Sequence, residues 1–126
     1  MEIRTRTNDY EMMSEVELYL ESRLTHLEKI LGSDADLARC EVVLGRDAGR
    51  PRHGAHVWFA ELQVTYPGSP VLRASNRSES INGAIDDAKA ELERQLTRER
   101  KLHIQLIRKG GAAIKSLIRR GLHSTF

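Results

Sequence analysis

Two amphipathic stripes at helical spacing, set among short segments that alternate, leave this chain few ways to fold. Met13, Val16, Leu20, Leu24, Leu27 and Leu31 recur every three or four residues, and so do Ile81, Ile85, Ala88, Leu92 and Leu96. Each set forms one apolar face of a helix, and such a face must be covered by another element. The other apolar runs change period. Ile3, Thr5 and Thr7 alternate with Arg4 and Arg6 in residues 2–8. Cys40, Val42 and Leu44 do so in residues 37–45, and Trp58, Ala60, Leu62, Val64 and Tyr66 in residues 57–66. A turn at Pro67-Gly68-Ser69-Pro70 leads to a fourth short strand, residues 71–75. Period-two alternation is the mark of a strand with one covered face. The order β-α-β-β-β-α therefore predicts an α+β domain of two layers, with both helices on one face of a four-stranded sheet. Glu41, Val43, Phe59, Glu61 and Gln63 belong on the opposite face, toward solvent or a partner.

Local signals set the boundaries. Ser14 and Glu17 have the spacing of a capping box for the first helix. Gly32 follows its last leucine and is suited to stop it in a left-handed conformation. The stretch Gly45 to Gly54 holds three glycines and Pro51, which predicts a loop. The second helix starts near residues 76–80, where Asn76, Ser78 and Ser80 are good capping types, and extends as far as Lys109, where Gly110-Gly111 breaks it. Ile114, Leu117 and Ile118 mark a short amphipathic segment beyond. Two units result: a domain over 1–109 and a basic amphipathic tail over 110–126. Cys40 and Trp58 fall on the apolar phase of their strands and are expected in the core.

At 126 residues the chain is the size of one domain. Its single cysteine excludes an internal disulfide, no run reaches membrane-span length, and the N-terminus lacks the apolar core of a secretion signal. A cytoplasmic protein is expected. Charge is unevenly placed. Residues 1–93 hold 11 Lys/Arg against 17 Asp/Glu, whereas residues 94–126 hold 9 Lys/Arg against Glu99 alone. A basic end on an acidic body points to a polyanionic partner, nucleic acid before membrane.

The second helix carries that asymmetry as a ridge. Arg94 and Arg98 each lie two residues past a buried leucine, about 200° from the core direction. Lys101, Gln105 and Arg108 continue the outer line, and Arg100 flanks it. From Arg94 to Arg108 a helix rises about 21 Å, enough to meet several phosphates. The helix dipole alone accounts for only about 0.3–1 kcal/mol near the last turn and does not call for so many bases. Arg23, His26 and Lys29 on the first helix form a smaller cluster. Arg46, Arg50 and Arg52 in the loop supply secondary contacts, and Lys115, Arg119 and Arg120 do so in the tail. Aromatic residues are few, so RNA shape and backbone are better targets than stacked bases.

Other chemistry is poorly supported. His53 and His56 have a metal-like spacing, but their loop is rich in arginine, which disfavours a cation. No nucleophile motif and no phosphate-binding glycine motif occurs. No metal, cofactor or catalytic residue is expected.

The element order, with Ala84-Ile85-Asp86 followed by Leu92-Glu93-Arg94-Gln95-Leu96 and then Arg98, Arg100 and Lys101, resembles the ribosome hibernation-promoting factors, also called ribosome-associated inhibitors. Leu27-Glu28-Lys29 is similar to the end of that family's first helix, and Arg73-Ala74-Ser75 to its fourth strand. The resemblance covers residues 1–102. It implies a fold like double-stranded-RNA-binding domains. It also implies a non-enzymatic protein that docks as a monomer in the mRNA and tRNA channel of the small ribosomal subunit, near the decoding centre. There it contacts ribosomal RNA and inhibits translation under stress or in stationary phase. Arg23, Arg94, Arg98, Arg100 and Lys101 match the family's basic positions. His26 stands where the family usually has Lys, and Met13 where it usually has a capping Thr. Too few residues follow the core for the ribosome-pairing domain of long members, so a short form is expected. A general double-stranded-RNA-binding module is the alternative. An adaptor acting at a membrane or protein surface through residues 112–122 is a third reading.

Overall fold

The computed structural model describes residues 1–47 and 57–108. Its elements are β1 (Glu2–Asn8), α1 (Ser14–Leu31), a 3₁₀ helix (Gly32–Leu37), β2 (Arg39–Arg46), β3 (Trp58–Thr65), β4 (Leu72–Ser78) and α2 (Ile81–Arg108). The strands lie in chain order β1-β2-β3-β4. β1 and β2 are parallel and the other two pairs antiparallel. Parallel neighbours need a crossover, and α1 supplies it. α2 lies against β3 and β4, and α1 lies beside α2. This is the expected α+β arrangement, with both helices on one face.

The predicted phases hold where packing is deepest. Leu20, Leu24, Leu27 and Leu31 of α1 meet Ala84, Ile85, Ala88, Leu92 and Leu96 of α2 in one core, with Cys40, Val42, Leu44, Ala60, Leu62, Val64, Leu72 and Ala74 from the sheet. Cys40 is fully buried. Burial chiefly, with some help from Glu41, pushes its thiol up from 9.0 to about 12. The native thiol is therefore neutral at neutral pH and should resist a soluble disulfide reagent at pH 8, reacting only after denaturant is added. The sign of the linkage follows. The unfolded thiol ionises above about pH 9 and the folded one does not, so this contribution to stability is lost as pH rises from 9 toward 12.

Several boundaries differ from expectation. Met13, not Ser14, is the N-cap of α1, and no side chain caps that end, so the capping box does not form. Met13 itself is exposed, and Val16 only packs at the rim. Gly32 does stop α1, at φ 57°, but with ψ −124° rather than a left-handed helical ψ. That region suits glycine alone, and the chain turns from it into the unpredicted 3₁₀ helix. β4 runs on to Ser78, past the predicted end at residue 75, because Asn76 and Arg77 continue the pairing with Ala60 and Phe59. α2 begins at the far end of the expected window. There the Ser80 hydroxyl accepts the Gly83 amide at 3.0 Å, an N-cap bond whose loss in Ser80→Ala should cost about 1 kcal/mol in chemical denaturation.

Trp58 also departs from expectation. It sits at the end of the sheet, half-buried, edge-on to Tyr10 with ring centroids 5.3 Å apart, outside the core. On the face away from the helices, Val43 and Phe59 are half-buried beside Gly45. A side chain on Gly45 would come within 2.6 Å of the Asn8 carbonyl oxygen and 2.7 Å of the Phe59 ring.

Candidate nucleic-acid interface

Helix α2 is longer than α1 and carries its bases toward the far end. The helices run in the same direction, since Arg23 of α1 bonds Asp86 early in α2 while Asp34, just past α1, bonds Arg100 late in α2. The basic half of α2 therefore lies level with the end of α1 and beyond it.

Arg94, Arg98 and Lys101 project to solvent, as the stripe requires. Arg94 is 65% exposed at its side chain but is tied to Glu91 one turn earlier. Glu91 is held below the usual carboxylate range, first by the hydrogen bond from Arg94, then by that from Gln95, with Arg98 assisting. Among the described residues, Arg98 and Lys101 carry no ion pair. The same is true of His26 and Lys29, which are exposed on α1. Among the described residues Lys29, Arg98 and Lys101 are the cations of the helical layer without an ion pair, and His26 is exposed beside Lys29 on α1.

Arg23 and Arg100 are placed differently. Arg23 donates to Asp86 at 3.0 Å and to the Tyr19 hydroxyl at 3.1 Å, and lies over the Tyr19 ring. Tyr19 in turn donates to both Asp86 oxygens, at 2.6 and 2.7 Å. The Tyr19 hydrogen bond, then charge, with Asp86 behind it, raises the Arg23 pKa further. Arg100 is only 24% exposed at its side chain, pairs with Asp34, and lies over the Tyr66 ring. Both arginines are cross-links between elements. The spacing carried a partial signal: Arg100 continues the i, i+4 series Leu92, Leu96 and so leans about 40° from a buried position. Nothing local announced its partner Asp34 in the 3₁₀ helix. Arg100→Ala should lower stability by up to about 1 kcal/mol, read by chemical denaturation, with a smaller effect on RNA binding than Arg98→Ala.

Arg46 is exposed at the end of β2 over the Trp58 ring. It stands at the opposite end of the sheet from the α2 ridge. The backbone of Arg108 is the last described turn of α2. Arg50, Arg52, His53, His56, Lys115, Arg119 and Arg120 lie outside the described residues. Among the described residues no group of three metal-ligating side chains occurs, and no helix is long and apolar enough to cross a membrane. A shallow depression among the described residues, lined by Glu2, Arg4, Arg39, Cys40 and Glu41, encloses only about 10 Å³, far below the roughly 300–1,000 Å³ of small-molecule pockets.

Fold and surface together define a class: a two-layer α+β domain whose distinguishing feature is a cationic helical ridge. The sequence profile described as sigma 54 modulation protein / S30EA ribosomal protein matches residues 3–103, and the chain belongs to that family, the one to which the hibernation-promoting factors belong. Among solved structures it is similar to the N-terminal domain of Protein Y from Thermus thermophilus, at 27% identity and a TM-score of 0.63, covering 78% of this chain and 98% of that one. A ribosomal subunit interface protein from Coxiella burnetii has the same fold, at 16% identity and a TM-score of 0.63, covering 80% of this chain and 99% of that one. A search of curated protein sequences finds no match.

Proposed function

We propose that this protein binds the small ribosomal subunit in the mRNA and tRNA channel near the decoding centre and inhibits translation by occupying it. On this reading it is a cytoplasmic, non-enzymatic hibernation factor, active under stress or in stationary phase. The observation that carries the reading is the set of exposed basic residues on the helical layer, Lys29, Arg98 and Lys101, with Arg94 and His26 beside them. Membership of a family described as ribosomal proteins makes the ribosome the natural polyanion. The mechanism is competitive. Basic side chains displace counterions from ribosomal RNA phosphates, and the rest of the domain excludes tRNA. Arg23 and Arg100 hold α1 and α2 in register, so the free cations arrive as a preformed array with less ordering cost on binding.

The test is competition. Purified small subunits are loaded with labelled tRNA and titrated with the protein at several salt concentrations. Displacement that weakens steeply with salt supports the proposal. Binding to a plain RNA duplex as tight as to subunits, with tRNA left in place, supports the general double-stranded-RNA module instead.

A further inference from the structure

Arg23 of α1 is held along one edge of its guanidinium and open along another. Its Nε donates to Asp86 at 3.0 Å, and its Nη2 donates to the Tyr19 hydroxyl at 3.1 Å. These two donors share the inner edge, beside the aliphatic stem. The Tyr19 ring covers one face of the group, with its centroid 4.7 Å from the central carbon. Arginine carries five N–H donors in a fixed fork. Among the described residues, both hydrogens on Nη1 and the second one on Nη2 have no partner. They include the outer edge of the fork, where two nitrogens side by side can grip a phosphate bidentately. The side chain is 41% exposed, and with its inner edge and one face covered, the outer edge is what meets solvent.

Tyr19 makes the arrangement one-sided. A carboxylate facing an arginine alone commonly takes two parallel N–H bonds. Here the Tyr19 hydroxyl donates to both Asp86 oxygens, at 2.6 and 2.7 Å, and itself accepts from Nη2. The guanidinium is thus fixed before any ligand arrives, which cuts the ordering cost of gripping one. Arg100 is different: its side chain is 24% exposed and is enclosed by Asp34 and Tyr66. Arg23 is level with Asp86, about 18 Å along α2 before Arg98. Asp87 is exposed at this level and offsets positive charge. What Arg23 offers there is aimed donors rather than net attraction. A phosphate gripped at Arg23 and others met by Arg98 and Lys101 hold the domain at two separated points, and such contacts set orientation on RNA.

We propose that Arg23 is a preset phosphate clamp for RNA, and that Tyr19 and Asp86 are its positioning residues. The inference rests on the reading of the helical layer as the surface that meets ribosomal RNA.

Binding to purified small subunits over a range of salt tests it, with Tyr19→Phe, Arg23→Ala, Arg23→Lys and the double variant Tyr19→Phe, Arg23→Ala. Melting curves report that each chain is folded. Tyr19→Phe keeps the ring and removes only the hydroxyl. It should weaken binding about threefold to tenfold, the cost of ordering one long side chain, and leave the salt dependence as it was. Arg23→Ala should weaken binding about tenfold or more. It should also lower the slope of log affinity against log salt by about 0.7–0.9. Arg23→Lys should restore the slope but not the affinity, because an ammonium has no fork. The double variant should bind no worse than Arg23→Ala. Unchanged affinity in Tyr19→Phe or in Arg23→Ala, whatever happens to the melting temperature, assigns these residues to the fold alone and overturns the proposal. So does a Tyr19→Phe loss that persists in full without Arg23. Changing Arg94, Arg98 and Lys101 to Glu tells the two readings apart. If that variant loses binding and Arg23→Ala does not, the ribosomal reading stands and the clamp falls. If the intact protein binds a plain RNA duplex as tightly as subunits, the ribosomal reading falls, and the same variants measured on the duplex judge the clamp by the same outcomes.

Discussion

Changing Arg94, Arg98 and Lys101 together to Glu is expected to abolish co-sedimentation with small ribosomal subunits at near-physiological salt. These side chains leave the helical layer for solvent, and two of them have no ion pair among the described residues. Each phosphate contact that is removed lowers the slope of log affinity against log salt by about 0.7–0.9. The triple variant should therefore lose about two to three from that slope, and more than 100-fold in affinity as charge attraction becomes repulsion. Its melting temperature should move little, because no core contact is touched. Unchanged sedimentation by a folded triple variant would remove α2 as the contact surface. Arg94→Glu alone should weigh least of the three, because Glu91 already offsets that charge.

The largest stability effect is expected at Leu92. This side chain is fully buried in the core shared by the two helices and the sheet. Leu92→Ala removes apolar burial and leaves a cavity that α1 and the sheet can close only in part. The expected cost is about 2–5 kcal/mol. For a domain of this size that lowers the melting temperature by at least about 6 °C. A scanning calorimetry shift under about 3 °C would mean that the helices repack freely and that the array of cations is less rigid than argued above. Comparing this variant with the charge triple separates the two roles of α2: one face holds the domain together and the other meets the partner.

The fold was legible because its main signal is local. Leu20, Leu24, Leu27 and Leu31 on one helix and Ile85, Ala88, Leu92 and Leu96 on the other needed only the helical period to be placed inside. Cys40, Val42, Leu44, Ala60, Leu62 and Val64 needed only the strand period. The misplacements at Trp58 and at residues 76–78 fall where a neighbour distant in sequence overrides a local preference, and the one at Ser14 is a shift of a single residue. Ser14 has a capping spacing, yet the helix starts one residue earlier and its hydroxyl makes no cap. Trp58 is in phase with the core strand, yet it lies at the end of the sheet, where Tyr10 and Arg46 form its surroundings. Residues 76–78 look like a helix start, yet β3 has room to pair with them.

The candidate site divides along the same line. The identity and spacing of its bases are written in the chain, and so is the outward direction of Arg94, Arg98 and Lys101. Their periodicity relative to Leu92 and Leu96 settles that direction, because a helix fixes angle from residue number. Which bases stay free to bind could not be read this way. Arg23 and Arg100 have the charge and family position of RNA contacts, and in the folded chain they also hold Asp86, Tyr19, Asp34 and Tyr66. Apart from Tyr19, one turn before Arg23 on α1, those partners lie tens of residues away and meet the arginines only when the helices and the sheet pack together, so a pairing that turns a cation into a structural link exists only in the folded molecule.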